Sequence, residues 1–137
     1  MPHCVILYTP NIEAKTDVGA LCRKLADTML TVRDEAGKQV FPTGGTRVLA
    51  YPAAHYAVAD GKGDYAFVYL NVRMGAGRSA AVQKKAGDTL LAVLQEHFAP
   101  IFARELIGIT LQIDESPGQV YDAKHSTLHP LFANKNV

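Results

Sequence analysis

Hydrophobic and polar positions change their period several times along the chain, and each change predicts a secondary-structure element. Residues 2–8 are a short apolar run, which is typical of a buried strand. From Ala14 to Leu30, apolar residues recur at three- and four-residue steps, the spacing of one helical face. After a charged loop at 33–45, punctuated by glycine and proline, residues 46–51 predict a second strand. The first half therefore predicts the order strand, helix, strand.

The second half of the chain repeats this order. Residues 64–73 alternate between two sets of side chains, as in a strand, and one set is apolar throughout: Ala66, Val68, Leu70 and Val72. Ser79 is placed to cap a helix. The apolar stripe of that helix consists of Val82, Ala86, Leu90, Val93, Leu94 and His97. A last strand at 107–114 is predicted by the alternation of Ile107, Ile109, Leu111 and Ile113. The final twenty residues predict an ordered or semi-ordered tail.

This order predicts one α/β (α+β) domain over residues 1–137, built from two β-α-β repeats at about 2–58 and 64–115, with a carboxy-terminal tail. Because such crossovers are right-handed, the four strands can form one mixed sheet with both helices on the same face. The opposite face of the third strand would carry Tyr65, Phe67, Tyr69 and Asn71. That much exposed aromatic surface favours self-association into a ring.

Composition narrows the function classes. Fourteen basic residues oppose thirteen acidic ones, for a formal charge of +1, so no global field attracts nucleic acid or a membrane surface. No apolar run reaches the roughly 18 residues of a membrane span, and the first residues lack the basic start of a signal peptide, so we expect the cytoplasm. Cys4 and Cys22 have no metal-binding spacing and are interpreted as buried thiols in a reducing compartment.

Pro2 is the first candidate for chemistry, because removal of Met1 would leave it with a free secondary amine. An exposed α-amino group titrates at about 7.7 to 8.0, and burial in an apolar strand lowers the pKa of an amine toward neutrality. A base with a pKa near neutrality suits repeated proton transfer. The alternative is that Pro2 merely begins a strand, where proline is tolerated.

Two arginines are candidates for binding a carboxylate. The stretch 75–80 (GAGRSA) joins a strand to a helix and fits the dinucleotide pattern G-x-G-x-x-A, but the acidic residue that a dinucleotide site needs at the end of the next strand is missing. We therefore expect backbone N–H groups and Arg78 to bind a carboxylate there. Arg47, after Gly44-Gly45, could supply a second clamp. The alternatives are a solvent-facing arginine at 78 and an ordinary strand-edge arginine at 47.

The histidines carry weaker signals. His125 and His129 are four residues apart, but no third metal ligand lies near them in the sequence, so a metal site is not favoured. His97 lies on an apolar helix face and is interpreted as a hydrogen-bonded core histidine. The chain has no G-x-S-x-G elbow, Walker loop or clustered carboxylate pair, which argues against hydrolase and phosphoryl-transfer chemistry.

Several sequence blocks together resemble the 5-carboxymethyl-2-hydroxymuconate isomerase family over nearly the whole chain. The blocks are PH at 2–3, FP at 41–42 with GTR at 45–47, ADG at 59–61 with DYAFV at 64–68, GAGRS at 75–79 and HPLF at 129–132. The glycine-rich arginine block is the most specific of them. Residues 34–39 resemble extra length in the first connection, and residues 48–56 follow the family less closely.

The resemblance implies a protomer of the tautomerase superfamily, a trimeric barrel, and a cofactor-independent step in the breakdown of the aromatic compound homoprotocatechuate (4-hydroxyphenylacetate). It implies that Pro2 carries the proton and that Arg47 and Arg78 bind the substrate carboxylates. An uncleaved Met1 would leave Pro2 without a basic nitrogen, but small residues after methionine normally permit its removal. Two alternatives stay open: a tautomerase acting on another 2-oxo or 2-hydroxy acid, of the phenylpyruvate or dehalogenase type, and a non-catalytic trimeric binding protein.

Overall fold

The structure is a computed structural model that describes residues 2–133. Its strands are β1 (His3–Tyr8), β2 (Arg47–Pro52), β3 (Tyr65–Gly75) and β4 (Leu106–Ser116). Its α-helices are α1 (Val18–Met29), α2 (Ala80–Phe102) and α3 (Leu128–Phe132), and two 3₁₀ turns lie at Pro10–Lys15 and Thr43–Gly45. No helix in the described part of the chain is long and apolar enough to cross a membrane.

The four strands form one mixed sheet in the order β2-β1-β3-β4. β1 runs parallel to β2, β3 runs parallel to β4, and the two central strands β1 and β3 are antiparallel. Each parallel pair is joined through a helix, α1 in the first half and α2 in the second. The predicted arrangement of two β-α-β units in a single sheet is therefore confirmed.

Helices α1 and α2 pack side by side on one face of this sheet, as predicted, and the core lies between them and the strands. It contains alternate residues of the central strands and the inward stripe of each helix: Cys4, Ile6, Val68, Leu70, Val72, Leu21, Leu25, Leu90 and Leu94. The isoleucines and the leucine of β4 that face the helices are only partly buried, because β4 is an edge strand: Ile107, Ile109, Leu111 and Ile113. The core fixes which side chains of each strand face away from the helices.

The start of the first helix differs from the prediction. The predicted helix from Ala14 merges two elements, because the structure has a 3₁₀ turn at Pro10–Lys15 and begins α1 only at Val18. The side chain of Asp17 accepts a hydrogen bond from the backbone N–H of Ala20 over 2.9 Å, so Asp17 caps α1. The apolar residues on both sides of Asp17 keep the helical spacing, so the spacing alone does not show that α1 begins only after this residue.

The sheet face opposite the helices, here called the open face, is uncovered in a single chain. Strand register places Leu7, Tyr51 and Tyr69 side by side across three strands, and Val5 beside Leu49. Leu49 and Tyr51 are 43% and 50% exposed, and Leu106 on β4 is 66% exposed. Of the side chains predicted for this face of β3, Phe67 is exposed, whereas Tyr65, Tyr69 and Asn71 are partly buried. The exposed apolar surface therefore lies on all four strands rather than mainly on β3.

Candidate active site

A pocket of about 350 Å³ lies at the end of the sheet where β1 begins and β3 ends. Because β1 and β3 are antiparallel, their opposite chain ends meet there. The pocket is lined by Pro2, Val40, Phe41, Pro42, Met74, Gly75, Ala76, Gly77 and Arg78. It therefore brings together the amino terminus, the connection before β2 and the glycine-rich turn after β3.

Pro2 is buried directly before the first residue of β1, in largely apolar surroundings that include Phe41, Pro42 and Met74. Such surroundings disfavour the charged form of an amine. Met1, whose removal would expose that amine, lies outside the described residues.

Arg78 reaches the same pocket through the turn that leads into α2. Gly77 has a φ of 103°, a left-handed conformation that favours glycine, and it lies three residues before the first residue of α2. The hydroxyl oxygen of Ser79 accepts a hydrogen bond from the N–H of Val82 and caps α2, as predicted. The Arg78 Nη2 donates a hydrogen bond to the carbonyl oxygen of Val40 over 3.0 Å, so Arg78 is tethered rather than free in solvent.

Two carboxylates from the connection at 33–45 border this turn, and sequence reasoning had assigned them no role. Asp34 Oδ2 lies 3.7 Å from Nη1 of Arg78. The pKa of Asp34 is lowered, mainly by the hydrogen bond that its carboxylate accepts from the N–H of Lys38. Burial alone would raise this pKa, but the hydrogen bond from the N–H of Ala36 and the charge of Arg78 lower it further. Glu35 accepts a 2.6 Å hydrogen bond from the hydroxyl of Ser79, which is the main reason that the pKa of Glu35 is lowered.

Arg47 does not line this pocket within a single chain. It begins β2 as the register partner of His3, and His3 is also the register partner of Arg73 on β3. These three basic side chains share the open face. The pKa of His3 is lowered by burial first, and then by the charges of Arg47 and Arg73. Within residues 2–133, neither arginine has an ion-pair partner.

The other candidate residues are scattered. His97 is half-buried and its Nε2 lies 2.7 Å from the hydroxyl of Thr16, which confirms that it is hydrogen-bonded, and burial lowers its pKa. His125 is exposed, and His129 lies on α3 beside Gly45. The described residues contain no group of three side chains that could hold a metal ion.

The two cysteines differ in burial. Cys4 is fully buried in the core, and burial raises its pKa to about 12. The prediction that both thiols are buried is wrong for Cys22, which is only partly buried because it borders a groove between α1 and α3. A helical period identifies the inward face of a helix but not where that face ends.

Comparisons with known proteins agree on one family. The family model described as 5-carboxymethyl-2-hydroxymuconate isomerase matches residues 2–132. The chain is 30% identical over 132 residues to the 5-carboxymethyl-2-hydroxymuconate Delta-isomerase of Escherichia coli, covering 96% of this chain and 99% of that protein. A crystal structure of a 5-carboxymethyl-2-hydroxymuconate delta-isomerase is 56% identical with a TM-score of 0.91. The corresponding structure from Deinococcus radiodurans R1 is 35% identical with a TM-score of 0.83; each alignment covers 96% of this chain and 93% of the other.

Proposed function

Because the chain belongs to the 5-carboxymethyl-2-hydroxymuconate isomerase family, we propose that it converts 5-carboxymethyl-2-hydroxymuconate into its 2-oxo-3-ene isomer. The observation that carries the proposal is the shared pocket of Pro2 and Arg78, a potential base beside a fixed cation. The reaction is cofactor-independent and serves homoprotocatechuate breakdown in the cytoplasm.

The proposed reaction consists of two proton transfers, the first from the substrate to Pro2 and the second from Pro2 back to the substrate. With Met1 removed, the neutral imino nitrogen of Pro2 takes a proton from the 2-hydroxyl side of the dienol and returns a proton to a distant carbon, giving the conjugated 2-oxo acid. A secondary amine that is neutral, then protonated, then neutral again serves both steps. Arg78 neutralises a substrate carboxylate and stabilises the negative charge that develops on the dienol system.

We further propose that the working form is a homotrimer. The open face exposes a continuous apolar surface that includes Leu7, Leu49 and Tyr51, and packing against other copies would remove it from water. Arg47 lies on the same face, at an edge strand and outside its own pocket. In an assembly, Arg47 would supply the second carboxylate clamp to the pocket of a neighbouring subunit.

The first test combines intact mass with activity. Protein made at native levels should lack Met1, and it should accelerate the loss of the dienol absorbance of 5-carboxymethyl-2-hydroxymuconate. Pro2→Ala should abolish most of this rate while the far-ultraviolet circular dichroism stays unchanged. Retained Met1, or full activity of Pro2→Ala, would contradict proton transfer by the amino-terminal proline and favour a binding protein or another base.

The second test addresses the arginines. Arg78→Ala and Arg47→Ala should each lower kcat/KM by about a hundredfold or more, as expected for loss of a charged contact to a developing anion. Arg104→Ala is the matched control, because Arg104 is exposed at the opposite end of the sheet. If Arg47→Ala turns over the tricarboxylate like the control, the substrate is a different 2-oxo or 2-hydroxy acid.

A further inference from the structure

His129 is brought to the amino terminus by the docking of α3. The hydroxyl oxygen of Ser126 accepts hydrogen bonds from the N–H groups of Leu128 and His129, which starts α3 at a fixed place. α3 then packs on the 3₁₀ turn Thr43–Gly45. A Cβ atom at Gly45 would lie 3.6 Å from Cδ of Pro2 and 3.9 Å from Nε2 of His129. The proline ring and the imidazole therefore converge on one backbone position that carries no side chain.

The two ring nitrogens of His129 have different surroundings. Nδ1 is buried and has no hydrogen-bond partner within residues 2–133. In a neutral imidazole one ring nitrogen carries a hydrogen and the other is an acceptor. A buried N–H without an acceptor is rarer in proteins than a buried acceptor without a donor, so Nδ1 is better placed as the acceptor. We therefore assign the hydrogen to Nε2, which lies 3.9 Å from the position that a Cβ at Gly45 would occupy. His129 itself does not line the 350 Å³ pocket, but its Nε2 and the ring of Pro2, which does line it, approach the same point beside Gly45.

The proposed substrate offers more anionic groups than the arginines can bind. 5-Carboxymethyl-2-hydroxymuconate has three carboxylates, two on the muconate chain and one on the carboxymethyl arm, whereas Arg47 and Arg78 account for two. We propose that His129 is a further substrate-binding residue, whose Nε2–H donates a hydrogen bond to the carboxylate of the carboxymethyl arm. This role rests on the proposed function and assigns the carboxy-terminal helix to substrate selection.

The test compares two substrates that differ in that arm alone. In His129→Leu, which removes the donor, kcat/KM for 5-carboxymethyl-2-hydroxymuconate should fall by about ten- to a hundredfold, the usual effect of losing a hydrogen bond to a charged group. The value for 2-hydroxymuconate, which lacks the arm, should change by less than about threefold. If the wild type does not turn over 2-hydroxymuconate, its competitive inhibition constant replaces kcat/KM. His129→Gln, which keeps an N–H donor, should recover part of the loss.

Two further variants separate this role from docking of the tail. His125→Ala changes an exposed histidine of the same segment and should leave both substrates unaffected. Gly45→Ala should reproduce the selective loss, because its methyl group makes only ordinary contacts but fills the space between the two rings. Equal losses for both substrates in His129→Leu, or no loss for either, would overturn the proposal while wild-type activity stands. A wild type that is inactive on the tricarboxylate overturns the proposed function itself.

Discussion

Arg78 donates a hydrogen bond from Nη2 to the carbonyl oxygen of Val40 over 3.0 Å, and this bond joins the turn after β3 to the connection before β2. The second contact of the guanidinium, to Asp34, is longer at 3.7 Å and is partly buried, with 18% of the Asp34 side chain exposed. In the proposed reaction, a substrate carboxylate would displace Asp34 without releasing Arg78 from Val40. The neutral carbonyl positions the guanidinium, while the carboxylate of Asp34 partly offsets its charge.

Asp34→Asn should lower the KM for the proposed tricarboxylate, by up to about fivefold, because a long, partly buried ion pair no longer competes with the substrate for Arg78. The amide oxygen of the substituted side chain can still accept the backbone hydrogen bonds that hold this connection, so kcat should stay unchanged. Steady-state kinetics at low ionic strength measure the effect. Asp27→Asn, which breaks an exposed pair with Arg23 on α1, is the control. A raised KM in Asp34→Asn would mean that Asp34 positions Arg78 rather than competing for it.

His97 should make the protein less stable on the acid side of neutrality. Burial lowers the pKa of His97 in the folded state below the unfolded value near 6.5. The folded protein then binds fewer protons than the unfolded chain, so this contribution is fully present above pH 6.5 and is lost as the pH falls from there toward the folded pKa. Urea midpoints measured from pH 5 to pH 8 should show this rise with pH.

His97→Gln should flatten that rise, although part of it should remain because the pKa of His3 is lowered in the same direction. Thr16→Val removes the hydroxyl partner but leaves the imidazole in place, so it should lower the midpoint while keeping the pH dependence. An unchanged profile in His97→Gln would show that other groups cause the acid sensitivity.

Gly44 should be essential for docking of the carboxy-terminal helix. A Cβ at Gly44 would lie 3.2 Å from Cα of His129 and 3.3 Å from the carbonyl oxygen of Leu128, and both of these are backbone atoms that cannot rotate away. Gly44→Ala should therefore expose α3 to limited proteolysis, with little change in the unfolding of the sheet and its two long helices. The same protease sensitivity in wild type and Gly44→Ala would show that the turn can shift to admit the methyl group.

The fold was largely predictable because the period of apolar residues is a local signal. Alternation at 64–73 assigned Val68 and Leu70 to the buried face, and the steps from Val82 to Leu94 gave the inward stripe of α2. The start of α1 was missed because the period continues through its cap at Asp17.

The site was predicted only in part, because its contacts join distant parts of the chain. Pro2 and Arg78 have local signals, a terminal imino acid and a glycine-rich helix start. The carbonyl of Val40, 38 positions away from Arg78, carries no signal in its residue type. His129 was singled out by its spacing from His125 and by the HPLF block at 129–132, and no period indicates that it lies beside Gly45.

Core and open-face leucines should respond differently to truncation. Leu70 is fully buried on β3, so Leu70→Ala should lower the free energy of unfolding by about 2–5 kcal/mol through lost burial and a residual cavity. Leu106 is 66% exposed on the open face, so in a lone chain Leu106→Ala should lower the free energy of unfolding only slightly.

If copies pack on the open face, the effect of Leu106→Ala should instead appear as weaker association between the copies. Chemical denaturation and light scattering over a dilution series separate the two effects. A purely monomeric wild type at all concentrations would exclude the trimer and leave the apolar face without an occupant.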